Sequence, residues 1–129
     1  MLNRSGITKE TAVAPSQILF NVQNQMSVGV IVDDAVGTAG EDGRKIVKAG
    51  TPLNGDLTAR GTAFVAAKDT SNPAVGVLLH DVDVTDGDAN GTLLIWGFVN
   101  LNRMDSTTAG FITANRKTEL AGRVWFLKD

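Results

Sequence analysis

The residues best suited to chemistry in this chain lie in one acidic run, His80-Asp-Val-Asp-Val-Thr-Asp-Gly-Asp-Ala-Asn-Gly91. Asp86, Asp88 and Asn90, followed by Gly91, reproduce the first half of a calcium-binding loop, in which alternate oxygens and a glycine wrap the ion. The second half does not follow. In that register the closing bidentate carboxylate falls on Gly97, and β-type residues flank the run where helices belong. The run therefore reads as a hairpin turn made of residues that tolerate left-handed backbone, with weak calcium binding as the alternative.

Other reactive combinations are thinner. His80 is the single histidine, with Asp81 beside it and Ser71 or Ser106 as candidate nucleophiles. Neighbours on a strand point to opposite faces, so Asp81 is badly placed to orient His80. No Gly-x-Ser-x-Gly elbow occurs. The carboxylate pairs Asp33-Asp34 and Asp81 with Asp83 have the residue types of a glycosidase but no sugar-stacking aromatics near them. Gly37 to Gly43 lacks the Gly-Lys-Ser/Thr ending of a phosphate loop. The absence of cysteine excludes disulfides, thiolate metal sites and cysteine nucleophiles, and one histidine excludes multi-histidine metal sites. No catalytic, cofactor or metal residues are expected, and the chain is not expected to be an enzyme.

The elements that would position any site are mostly β. The 129 residues match one domain, and 43% apolar with 20% charged residues indicate a folded chain. A net charge of −2 argues against nucleic-acid binding, which needs clustered positive charge. Apolar runs such as Val28-Gly-Val-Ile-Val32 are far short of the roughly 20 residues that span a bilayer. No signal peptide is evident at the start, so synthesis and folding are expected in a cytoplasm, with no membrane partner.

Strand signals recur at Val28 to Val32, Arg44 to Val47, Ala63 to Ala67, Ala74 to His80, Thr92 to Val99 and Arg123 to Leu127. Gly and Pro clusters separate them, among them Lys48 to Pro52, Asn54 to Asp56 and Asp69 to Pro73. Such short strands and frequent turns predict a small barrel or compact β assembly. Asp105 to Leu120 is the one helical candidate, with Asp105 or Ser106 as N-cap and Gly110 weakening it. Arg44, Lys45 and Lys48 read as a solvated strand edge. Residues 81–105 are mainly acidic and residues 106–129 mainly basic, an asymmetry that either steers subunits together or is only a dipolar surface. Residues 1–17 show no period and contain Pro15, so they read as an arm: a frayed terminus or a partner-binding extension. Residues 18–129 then form a single β-rich domain. Its aromatics are five Phe and two Trp, a small supply that favours further burial through subunit association.

The order of motifs resembles a known family. Ala49-Gly-Thr-Pro-Leu53 leads through Asp56 and Arg60 to Phe64-Val-Ala-Ala67 and Asp69-Thr70. Ala74-Val-Gly-Val-Leu78, Val82-Asp-Val-Thr85, Thr92-Leu93 and Gly97-Phe-Val99 follow, and Thr118-Glu-Leu-Ala-Gly122 precedes a last apolar strand to Leu127. This series is similar to the head-decoration, capsid-stabilising proteins of lambda-like tailed bacteriophages, over roughly residues 46–127. Each motif alone is weak, and their shared order carries the likeness.

The resemblance implies a mainly β, barrel or β-clip type domain with at most one short helix and an extended N-terminal arm. It implies a homotrimer at local threefold sites on the outer surface of the expanded capsid, bound to the major capsid protein and resisting the pressure of packaged DNA. The protein would be made in the bacterial host cytoplasm and reside on the virion. Within the arm, Ile7, Thr8, Val13 and Pro15 are the expected capsid contacts, although the arm does not follow the family residue by residue and residues 1–45 are longer and differently composed. Trp96, Phe98, Trp125 and Phe126 are the aromatics expected in the core or at the trimer contact. Two other functions stand beside this one: a small β-module that binds a carbohydrate or other ligand through Trp96 or Trp125, and an acid-pair hydrolase using Asp34 or Asp83.

Overall fold

The protein is described here by a computed structural model covering residues 17–19 and 25–128. The arm residues Ile7, Thr8, Val13 and Pro15 lie outside the described residues. The chain is mainly β, with strands β1 (Met26–Val32), β2 (Ile46–Val47), β3 (Pro52–Asn54), β4 (Val65–Ala66), β5 (Gly76–Leu78), β6 (Val82–Asp83), β7 (Ala89–Asn100) and β8 (Val124–Leu127). Two short helices, α1 (Ser106–Ala109) and α2 (Ala114–Glu119), lie between β7 and β8. No helix among the described residues is long and apolar enough to cross a membrane.

β7 organises the molecule. It pairs antiparallel with β1 along Ala89 to Trp96 and with β5 at Leu93 and Leu94, and parallel with β8 along Gly97 to Asn100. The sheet runs β1-β7-β5-β3-β4, with β8 added on β7, while β2 and β6 form a separate pair. Leu93 and Leu94 are both fully buried, yet they belong to different apolar clusters on opposite faces of β7. A strand covered on both faces carries a continuous apolar run, and Leu93-Leu-Ile95 is one.

The sheet is open as a ladder, but its two ends are tied together. A single parallel bridge joins Val32 at the end of β1 to Phe64 just before β4. Phe64 N–H donates to the Ile31 carbonyl at 2.7 Å, and Asp33 N–H donates to the Phe64 carbonyl at 3.0 Å. The Phe64 ring is fully buried in the same cluster as Val32, Leu53 and Leu93. The sheet is thus held round a shared core by one stitch, not by a continuous ring of strands.

The expectation of at most one short helix over Asp105 to Leu120 needs correction. Asp105 does cap α1, accepting from Thr108 N–H at 3.2 Å. After Gly110 the chain leaves the helix, and Thr113, with ψ of 174°, starts a second one by accepting from Arg116 N–H at 3.5 Å. Gly lowers helix propensity and a threonine oxygen competes for backbone N–H groups, so one periodic stretch becomes two. The two helices make the crossover that a parallel β7–β8 pair requires, since a tight turn can join only antiparallel strands. Leu120 and Ile112 seal this side against Ile18, Leu94 and Val99.

Candidate functional site

Strict alternation along β7 is broken once, and that break creates the most distinctive surface of the protein. Leu94 and Val99 share one buried cluster although they lie an odd number of residues apart. The β1 pairing steps from Ser27↔Leu94 to Met26↔Trp96, leaving Ile95 as an extra residue in a bulge. Beyond it the faces exchange. Val99 turns to the core, and Trp96 and Phe98 turn outward.

The parallel partner continues this face. Phe98 pairs with Trp125 in the β7–β8 register, and β8 alternates Val124 and Phe126 inward with Trp125 and Leu127 outward. The three outward rings touch. Phe98 and Trp125 are stacked with centroids 5.0 Å apart, and Trp96 meets each of them edge-on at 5.9 Å. Trp96 is 39% exposed, Trp125 37%, Leu127 38% and Met26, opposite Trp96, 59%. Phe98 is half-buried between them. Together these side chains form a strip of apolar surface on three neighbouring strands.

Of the four aromatics named from the sequence, three therefore come together and one does not. Phe126 packs against the cluster containing Ile18, Val99 and Leu120. Trp96 and Trp125 do not fill the core. Leu127 was legible by the two-residue period from Trp125, but Met26 had no signal, because only the β1–β7 pairing brings it to Trp96.

The acidic groups are engaged by backbone N–H groups, hydroxyls and basic side chains. Asp81 accepts from Ala49 N–H at 2.8 Å and lies 3.8 Å from the Lys48 ammonium. Asp83 accepts from the Thr85 hydroxyl and N–H and pairs with Arg44 at 3.2 Å. Those hydrogen bonds, the Thr85 hydroxyl first, hold the Asp83 carboxyl below its ordinary value. Asp56 is lowered in the same way by the hydroxyl and N–H of Thr58. Arg44 and Lys48 are thus cross-strand partners for acids on or beside β6, a pairing the solvated-edge reading missed. His80 is exposed.

The calcium-like half-loop is divided between two elements. Thr85 to Gly87 form a turn, but Asn90 and Gly91 already belong to β7, paired with Ile31 and Val30. The turn reading stands, yet it is not a hairpin, because β6 and β7 lie in different sheets. Asp88 instead meets Asp33 and Asp34, with one carboxylate oxygen of each within 4.8 Å of the others. Asp88 accepts from Asp34 N–H at 2.9 Å and Asp33 from Ala35 N–H at 2.8 Å, so these oxygens close turns.

No protein-family model matches the chain, and no curated protein matches it.

Proposed function

We propose that this protein is a structural protein of a tailed-phage virion that decorates the outer surface of the expanded capsid as a homotrimer. The observation that carries this reading is the aromatic strip, Trp96, Phe98 and Trp125 flanked by Met26 and Leu127. Contiguous exposed apolar surface on a small domain is a mark of association, and tryptophans at its centre make strong contact residues. A trimer that covers this strip in each copy gains the burial that a core of small aliphatics does not provide. The order of motifs from Ala49 to Leu127 supplies the capsid as the partner.

The acids support a non-enzymatic role. Asp33, Asp42, Asp56, Asp69, Asp83 and Asp105 each accept from a backbone N–H two or three residues on, which is turn and cap work. Three arms on one trimer would act through effective concentration, so that weak individual contacts hold firmly.

A second reading rests on the same two exposed indoles, which also suit a carbohydrate. Sugar stacking needs a free ring face, and the Phe98–Trp125 stack already occupies one. That geometry ranks the binding module second.

The deciding experiment is cosedimentation of the purified protein with expanded, undecorated capsids, followed by electron cryomicroscopy. Density at the threefold sites is the expected result. Competent capsids that stay bare, together with glycan binding that Trp96→Ala abolishes, would replace this reading with the second.

A further inference from the structure

A cavity of about 350 Å³ opens where the helix pair meets the sheet. Pro52 at the start of β3, Ala66 in β4 and the half-exposed ring of Phe111 give it apolar walls. Its polar groups are Lys68, threonine hydroxyls and Arg116, and no carboxylate among the described residues lines it. In an acidic protein, this is a local reversal of sign.

Arg116 makes the cavity more than a crevice. Its side chain is 3% exposed, and one end is anchored by Nη2 donating to Glu119 Oε2 at 2.8 Å. Glu119 is itself fixed, since its other oxygen accepts from Ala74 N–H at 2.8 Å. The Arg116 Nε–H, in contrast, is buried with no acceptor. A buried unsatisfied donor on a charged group is costly, and native structures keep few of them. Beside it, Thr113 Oγ1 accepts from Arg116 N–H, leaving the hydroxyl proton to donate. Lys68 at the rim makes no ion pair among the described residues.

We propose that this cavity binds a small aromatic carboxylate, its carboxylate received by Arg116, Thr113 and Lys68 and its ring held against Phe111 and Pro52. The three polar groups are all able to donate, and a guanidinium matches a carboxylate in shape. Glu119 offsets the guanidinium charge, so Lys68 supplies the net attraction and the orphan Nε–H supplies direction. The volume lies at the small end of ligand pockets, which fits one ring and its carboxylate. This site is on the helix side of the molecule and does not depend on the capsid reading.

Benzoate titrated into the full-length protein, followed by amide NMR, tests the proposal, with benzamide and inorganic phosphate as comparison probes. Saturable shifts at Lys68, Phe111 and Thr113 are expected, with Kd on the order of millimolar for so small a ligand. Benzamide, lacking the charge, is expected to bind about tenfold more weakly, and phosphate, lacking the ring, likewise. Lys68→Ala should weaken benzoate about fivefold, and Ala66→Leu, by narrowing the cavity, should abolish the shifts. Lys68 is exposed, so its variant tests the proposal even where Ala66→Leu fails to fold. Shifts that do not saturate, benzamide or phosphate binding as tightly as benzoate, or undiminished affinity in Lys68→Ala would each overturn it.

Discussion

Trp125 lies against Phe98 across the parallel β7–β8 pair, with ring centroids 5.0 Å apart and 21° between their planes. The stack fastens the last strand of the chain to its central one on the outer face, while Val124 and Phe126 fasten it on the inner face. One strand is thus gripped from both sides, and the outer grip is made of residues that solvent reaches. Trp125→Ala should lower stability by at least about 1 kcal/mol through loss of the aromatic pairing alone. Trp96→Ser, at the more exposed edge, should change the thermal midpoint little but turn the proposed trimer into monomer in sedimentation velocity. An unchanged trimer in Trp96→Ser would remove the strip from the subunit contact.

The stitch between the two ends of the sheet has its own signature. Phe64→Ala should cost about 3–5 kcal/mol, the range for emptying a buried aromatic site. Gly55 tests the same ring without removing it, because a Cβ there would stand 2.4 Å from Phe64 Cδ2. Gly55→Ala should therefore destabilise by about 1–3 kcal/mol through overpacking, measured by urea unfolding. A neutral Gly55→Ala would show that the ring has room to move.

Asp56 and Asp83 predict an acid limb in the stability curve. Both carboxyls titrate below 3.8 in the folded protein, chiefly through the threonine hydroxyls two residues on. Their contribution is complete above 3.8, shrinks as the pH falls below it, and vanishes once the lowered folded values are passed. An Asp56→Asn/Asp83→Asn protein should melt slightly earlier than wild type near neutrality, and the gap should close in acid. A gap that widens in acid would contradict the assignment. Both groups are exposed, so the effect is small.

Calcium should leave the protein unchanged. Asp33 and Asp88 use oxygens to close turns, and Asn90 and Gly91 are committed to the β1–β7 ladder. A chelator should not move the melting temperature, and millimolar calcium should not raise it. A rise of several degrees that Asp88→Asn abolishes would reinstate the ion.

Removal of residues 1–17 is expected to keep the fold and weaken capsid attachment. Ile18 and Leu19 are buried, and Leu19 bridges to Val99, so the cut leaves these core residues in place. Truncated protein that cosediments with capsids as tightly as the full chain would rule out the arm as an attachment device.

Most strands were legible because β-branched and apolar runs mark them, as at Val28 to Val32 and Thr92 to Val99. β3 was not, since Pro52-Leu-Asn54 sits inside a run of turn residues, and proline is tolerated at the start of a strand. β6 was hidden in the acidic run, where Val82 and Val84 are the buried residues. The aromatic strip was only half legible. The residues could be named, but their shared direction depends on the Ile95 bulge and on the parallel register of β8, neither of which leaves a local sequence signal. Arg116 and Lys68 drew no notice for the same reason: their meaning comes from what surrounds them.

The central place of β7 sets the order in which the chain becomes competent to fold. β1 is made early, but its partner begins only at Ala89 and is complete only at Asn100. During vectorial synthesis the first strand must wait, edge unpaired, through the emergence of more than half the chain. Nascent chains arrested before Ala89 should therefore remain open to proteolysis at β1, and the domain should close in one late, cooperative event as β7 leaves the ribosome.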